Sequence, residues 1–246
     1  MASLNDSQLE RYARHIVLHD IGGAGQKKLL DAKVALVGAG GIGAPAALYL
    51  AAAGVGTLGL IDDDAVSLSN LQRQVLYGTD DLGDPKTEAA AAALGRLNPD
   101  CRVEAHTLRL NADNAAHLLA NYDIVLDGSD SFKTRLGVGD TCFTLNKPLV
   151  SAAVGQFDGQ LAVFDGAPCY RCLVGDMIDE PGRSCADQGI VGALTGVLGS
   201  WAALEVIKLI TGAGEPLRSK LMLFDGLGGQ TRTVKLRRDP NCPTCG

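Results

Sequence analysis

Between Lys33 and Asp64 the chain carries a strand, a glycine turn, a helix and a second strand in direct succession, and few folds accommodate that order. Lys33 to Val37 is a short apolar run, and Gly38-Ala39-Gly40-Gly41-Ile42-Gly43 follows it. Gly43 to Ala53 is rich in alanine, and Gly54 stops the helical pattern. Val55 to Ile61 is a second β run, closed by Asp62-Asp63-Asp64. This is the plan of a nucleotide-binding unit built on a parallel sheet. The turn matches G-x-G-x-x-G in the strand-to-helix context that gives the pattern meaning. Gly38, Gly40, Gly41 and Gly43 are therefore candidate cofactor-binding positions, where backbone can approach phosphates and the helix N-terminus favours their charge. Asp62 stands where an acid accepts hydrogen bonds from ribose hydroxyls. The motif does not separate NAD from ATP.

The rest of the chain extends the same α/β pattern. Residues 85–97, 112–120 and 134–145 predict helices, and residues 101–107, 124–126 and 148–152 predict the strands between them. After Gly155 the pattern changes, and residues 160–164, 221–224 and 231–236 read as strands added antiparallel to the same sheet. Residues 190–204 are apolar but short of the roughly 18 residues of a membrane span, so they predict a buried helix. Upstream, residues 8–18 predict an amphipathic helix with Leu9, Tyr12 and Ile16 on one face and Arg11 and Arg14 away from it. Gly22-Gly23-Ala24-Gly25 reads as the turn that ends this helical segment, residues 1–30. Residues 174–188 are polar, contain Pro181 and predict a mobile loop. Without an internal repeat or low-complexity linker, residues 1–246 are expected to form one domain.

A formal net charge of -6 argues against non-specific binding to nucleic acid or anionic membranes, both of which need a field of Lys and Arg. The N-terminus lacks an uninterrupted apolar stretch of the secretory kind, so a cytoplasmic location is expected. Seven cysteines, an odd number, argue against a disulfide framework. Four of them form two Cys-x-x-Cys pairs, Cys169-Tyr170-Arg171-Cys172 and Cys242-Pro243-Thr244-Cys245. A redox dithiol or two disulfides are alternatives, but two matched pairs close one tetrahedral Zn²⁺ site with no free position, which is a structural arrangement. Cys101 and Cys142 lie in apolar segments and read as inert core thiols. Cys185 lies in a polar stretch beside Arg183, where a thiolate is favoured; an incidental exposed thiol is the competing reading. His15 and His19 share a helix face without a third ligand.

Further candidates follow the second strand. Ser69-Asn70-Leu71-Gln72-Arg73-Gln74 leads to Arg73, and Lys86 follows Pro85. Either cation can bind phosphate oxygens. No G-x-x-x-x-G-K-[ST] run occurs. Asp127 and Asp130 stand at the carboxyl end of a strand, where open α/β sheets place ligands. Asp130 reads equally well as a Mg²⁺ ligand and as a helix N-cap.

Taken together, these motifs resemble those of the ThiF/MoeB/HesA family, bacterial relatives of ubiquitin-activating enzymes. The resembling residues include Arg11-Tyr12-Ala13-Arg14-His15, the glycine turn, Asp62-Asp63-Asp64, residues 69–74, Pro85-Lys86, Leu97-Asn98-Pro99 and Asp127-Gly128-Ser129-Asp130. They continue through the two cysteine pairs, Gly189-Ile190-Val191-Gly192 and Glu205-Val206-Ile207-Lys208. The resemblance implies a Rossmann-like α/β fold whose mixed sheet is parallel in its N-terminal half and antiparallel in its C-terminal half, flanked by helices. It implies ATP-dependent adenylation of the C-terminal glycine of a ubiquitin-like sulfur-carrier protein of the ThiS or MoaD type, for thiamine or molybdenum-cofactor biosynthesis. Gly41, Asp62, Asn70, Arg73 and Lys86 would bind ATP, and Asp130 would hold Mg²⁺. Ser131 stands where the family usually has Asn, keeping a hydrogen-bonding group on a shorter side chain. Arg14 would complete the active site of the other subunit of a homodimer, and a cysteine matching Cys185 links to the carrier in the thiamine branch. No rhodanese-like extension follows Gly246, so the sulfur donor is expected to be a separate protein. Two other readings remain: an NAD-dependent oxidoreductase with a structural zinc, and a scaffold that binds a ubiquitin-like partner without catalysis.

Overall fold

The computed structural model describes residues 4–177 and 189–246. Eight strands form one sheet in the order β3-β2-β1-β4-β5-β6-β7-β8. The parallel strands are β1 (Lys33–Val37), β2 (Thr57–Ile61), β3 (Arg102–His106), β4 (Ile124–Asp127) and β5 (Leu149–Val154). To these β6 (Asp158–Phe164), β7 (Lys220–Asp225) and β8 (Gln230–Lys235) add antiparallel. This is the mixed sheet expected from the sequence.

Alternation along the strands divides the core between the two faces of the sheet. Val34 and Leu36 of β1 join one apolar cluster, while Ala35 and Val37 join the other. The first cluster lies under α4 (Gly43–Ala53), α5 (Lys86–Leu97) and α9 (Gly192–Thr211). The second lies under α6 (Ala115–Leu119) and α7 (Phe132–Thr144), with α8 (Tyr170–Val174) beyond them. α4 is apolar nearly all round because it is covered on both sides, by the sheet and by α9. Small residues allow that approach: a Cβ on Gly199 of α9 would lie 2.4 Å from the Ile42 carbonyl oxygen. By length and composition α9 could cross a membrane, yet here Leu198, Ala202 and Val206 are buried against α4 and the sheet.

The N-terminal segment departs from expectation. The helix predicted over residues 8–18 is two short pieces, α1 (Asp6–Arg11) and α2 (Ala13–Ile16), broken at Tyr12. The break lets Tyr12 turn into the core, where its ring lies under Gly54 and its hydroxyl accepts from Asn98 Nδ2 at 2.9 Å. Leu9, assigned to the same face, stays 46% exposed. His15 and His19 do not share a helix; His15 Nδ1 lies 3.0 Å from Gln26 Oε1 and His19 is beside Asp20. The glycines at 22–25 begin a helix, α3 (Gly22–Asp31), instead of ending one. Packing overrides their low propensity: Gly25 fits against Ile21 and Thr211, and buried Gln26 donates to the Ala53 carbonyl at 2.9 Å.

Candidate active site

A cleft of about 480 Å³ opens at the carboxyl ends of β1, β2 and β4, where the sheet order reverses direction and ligands of open α/β folds bind. Gly38, Gly40, Gly41, Asp62, Asn70, Arg73, Lys86, Asp130 and Ser131 all line it. Gly43 does not. It lies beneath the turn, where a Cβ would sit 1.9 Å from the Gly38 carbonyl oxygen, so its contribution is close packing of helix on turn. Gly38 has φ 88° and faces the Gly128–Ser129 backbone, joining the turn to the loop after β4. α4 starts here with Ile42 as N-cap and no side-chain cap, so the positive end of its dipole borders the cleft.

The turn is held from two sides. Asp62 accepts from the amide N–H of Ala39 at 2.7 Å and from that of Asp64 at 2.9 Å. Burial raises the Asp62 carboxyl above its ordinary range, against the pull of Lys86 and the two amides. From the other side the Tyr77 hydroxyl donates to the Ala39 carbonyl at 2.7 Å. Burial, reinforced by the negative charge of Asp62, pushes that phenol up, so it stays a donor.

Two cations enter from the segment after β2. Arg73 donates to the Ser69 carbonyl at 3.1 Å, which steadies its side chain within its own turn. Lys86 is the first residue of α5 and is almost wholly buried, with its ammonium 2.7 Å from Asp64 Oδ2. A cation at a helix N-terminus opposes the helix dipole. The Asp64 carboxylate, 66% exposed, offsets that conflict and leaves a desolvated positive charge beside the cleft.

The loop after β4 does not use Asp130 as a helix cap. The N-cap of α7 is Ser131, whose Oγ accepts from Thr134 N at 3.4 Å, and Asp130 stands exposed at the cleft. Asp127 is buried; its Oδ1 accepts from Ser129 N at 3.0 Å, and its Oδ2 has no hydrogen-bond partner among the described residues. Sequence reasoning assigned no role to Gln74, Thr195, Arg109 or Arg135, which also line the cleft. Gln74 ends a quoted motif without carrying a spacing signal, and nothing local marks the others.

Arg14 is exposed on α2 and does not line the cleft of its own chain. Cys185, and most of the loop expected at residues 174–188, lie outside the described residues. Cys101 and Cys142 are buried as expected. Burial pushes the Cys101 thiol up to about 12 and that of Cys142 higher still.

Cys169, Cys172, Cys242 and Cys245 form a second centre, with all four sulfurs within 4.8 Å of one another. Sulfur separations of 3.5 Å (Cys169–Cys242), 3.3 Å (Cys172–Cys245) and 4.0 Å (Cys169–Cys172) are far too long for disulfides. They bracket the roughly 3.8 Å edge of a tetrahedron with Zn–S bonds of about 2.3 Å, so the four can hold zinc. The amide of Asp239 donates to Cys172 Sγ at 3.4 Å. Burial raises the thiols of Cys169 and Cys172. At Cys242 burial acts in the same sense, but amide and sulfur hydrogen bonds outweigh it and hold the thiol at about 7.

Parallel strands that end at a cleft floored by the glycine turn and then give way to antiparallel ones make this a Rossmann-like α/β protein. Within that class the chain belongs to the ThiF family, which matches residues 12–244. It is 47% identical to the sulfur carrier protein adenylyltransferase of Thermus thermophilus, across 97% of this chain and 91% of that protein. It is also 47% identical to the sulfur carrier protein ThiS adenylyltransferase of Escherichia coli, across 99% of this chain and 97% of that protein. Among solved structures, E. coli MccB with ATP superposes with a TM-score of 0.81 at 27% identity, covering 99% of this chain and 75% of that one.

Proposed function

We propose that this chain uses ATP to adenylate the C-terminal glycine of a small ubiquitin-like sulfur-carrier protein of the ThiS or MoaD type, releasing pyrophosphate, in thiamine or molybdenum-cofactor biosynthesis. The observation that carries the reading is the convergence of Arg73, Lys86 and Asp130 on a cleft floored by the glycine turn. The names of its relatives point to the same reaction. The carrier's terminal carboxylate has an ordinary pKa of about 3.3–3.7 and is ionised at neutral pH. Its oxygen attacks the α-phosphorus, the bond to the bridging oxygen breaks, and pyrophosphate leaves with the electron pair. No general base is needed, and among the described residues no histidine lines the cleft. Gly40 and Gly41 let the triphosphate approach the backbone, Asp62 and Asn70 bind the nucleoside end, and Ser131 adds a polar contact. Arg73 and Lys86 stabilise the charge that develops on the departing group. Asp130, with phosphate oxygens and water, fits the donor set of Mg²⁺, which would neutralise phosphate charge.

The same reading extends to assembly. Residues 1–246 act as one adenylyltransferase unit, with one Zn²⁺ on the four cysteines. Two chains form a homodimer in which Arg14 completes the partner's site, a separate protein donates sulfur, Cys185 serves the later sulfur transfer, and the enzyme works in the cytoplasm. An NAD-dependent oxidoreductase would use the turn and Asp62 but leave Arg73, Lys86 and Asp130 without a task. Thermal protection by each nucleotide tests the choice. ATP with Mg²⁺ is expected to raise the melting temperature, and protection by NAD alone would reverse the assignment.

A further inference from the structure

α7 runs from the cleft to the cysteine centre and is fastened at both. At the cleft end, buried Arg135 uses Nη2 to donate to the Ala152 carbonyl at 3.0 Å and to the Ser129 carbonyl. Those bonds tie the residue immediately before Asp130 to β5. Burial pushes up the phenol of Tyr170, inside the first cysteine pair, and the Arg135 charge acts against that push. One turn further along, Gly139 rests on Tyr170 so closely that a Cβ would stand 2.7 Å from the tyrosine Cβ. Next to it, Asp140 takes bonds from both pairs at once. It accepts from Arg171 Nε at 3.2 Å and from Thr244 Oγ1 at 2.6 Å. Arg171 is interior to the first pair and Thr244 to the second. Phe143 completes the stripe by packing on the cysteine cluster.

We propose that Arg135 is a positioning residue through which the four-cysteine centre sets the Asp130 loop. The inference rests on the nucleotide reading of the cleft. A hydrogen-bonded helix of 13 residues moves as a rod, and Asp140 and Arg135 are about 7.5 Å apart along its axis at 1.5 Å per residue. Asp140 fixes where that rod sits relative to the two cysteine pairs. Nη2 of Arg135, holding two carbonyls at once, passes the position on to Ser129 and hence to Asp130. A change at Asp140 that leaves the four cysteines in place therefore reaches the metal-nucleotide side of the cleft without loss of the fold.

A double-mutant cycle on the full chain tests this. Binding of a non-hydrolysable ATP analogue with Mg²⁺ is measured by calorimetry, and zinc per chain by elemental analysis. Asp140→Asn is expected to keep its zinc and its fold but to bind the analogue roughly five-fold or more weakly, the lower end of typical coupling between sites. Arg135→Lys keeps the charge, but its ammonium ends one bond short of the Nη2 position that serves both carbonyls. In that background Asp140→Asn is expected to cause no further loss. Unchanged affinity in Asp140→Asn, or the same loss in both backgrounds, would overturn the link. If Asp140→Asn does not fold, Thr244→Val removes two hydrogen bonds, one to Asp140 and one from Arg171, and no charge, and is read in the same cycle by the same criteria. Wild-type protein that fails to bind the analogue would contradict the nucleotide reading itself, a result distinct from failure of the link.

Discussion

The nucleotide cleft and the cysteine centre are held together in opposite ways. The cleft is assembled by backbone: loops after β1, β2 and β4 meet, Asp62 and Tyr77 fasten the glycine turn, and Gly38 abuts the loop before Asp130. Arg73, Lys86 and Asp130 sit on that frame without supporting it, and Lys86 opposes the dipole of its own helix. The cysteine centre is made by side chains from two segments 73 residues apart, and a metal held by all four would be the bond between them. Single changes in the cleft should therefore cost function while sparing the fold. Single changes among the cysteines should cost the fold first.

The sharpest way to break that contrast is Cys242→Ala. The expected outcome is loss of stoichiometric zinc and of cooperative folding, because zinc binding and folding are linked in closed four-thiolate sites. Elemental analysis and thermal melting check it, and a variant that melts like the wild type would erase the distinction. Lys86→Ala is the counterpart at the cleft. It should lower the pyrophosphate-exchange rate by about 10³-fold, the upper end for removing a preorganised charge-stabilising donor, with little change in melting temperature because Asp64 is already solvated. Arg14→Ala should slow the reaction by about 10²-fold with near-normal ATP affinity, since a cation that acts on the departing pyrophosphate affects rate more than binding. Mixing it with Asp130→Ala chains should restore part of the activity. A monomer by light scattering, or no rescue despite subunit exchange, would remove the trans arrangement. Gly43→Ala tests whether the last turn glycine packs or binds. The clash with the Gly38 carbonyl should cost about 1–3 kcal/mol of stability, as overpacking usually does, visible in chemical denaturation. The smallest expected effect is none at all: with thiol pKa values raised to about 12 and above, Cys101 and Cys142 should resist alkylation of the native protein at pH 8, read by peptide mass mapping.

The same contrast explains what could be read from the sequence. β1 and α4 have the predicted bounds because their ends are set locally, by the glycine turn and by Gly54 with φ 85° at the helix C-terminus. The cysteine pairs were legible as one centre because matched spacing survives any distance in the chain. Residues 8–18 and 22–25 were misread because tertiary contacts decide them: Tyr12 is drawn under Gly54, and Gly25 is recruited against Thr211. In the cleft, Asp62, Arg73, Lys86 and Asp130 stand beside recognisable motifs. Arg135 and the Lys86–Asp64 pair have no such marker, because only the packing of α7 and α5 on the sheet brings their partners within reach.

Carrier-dependent exchange of labelled pyrophosphate into ATP tests the central claim most directly. With Mg²⁺ and a ThiS- or MoaD-type carrier, label should enter ATP, and mass spectrometry should find the carrier adenylated at its terminal glycine. Removing that glycine from the carrier should abolish the exchange. Exchange that proceeds equally without any carrier, or an adenylate attached elsewhere than the carrier terminus, would contradict the account.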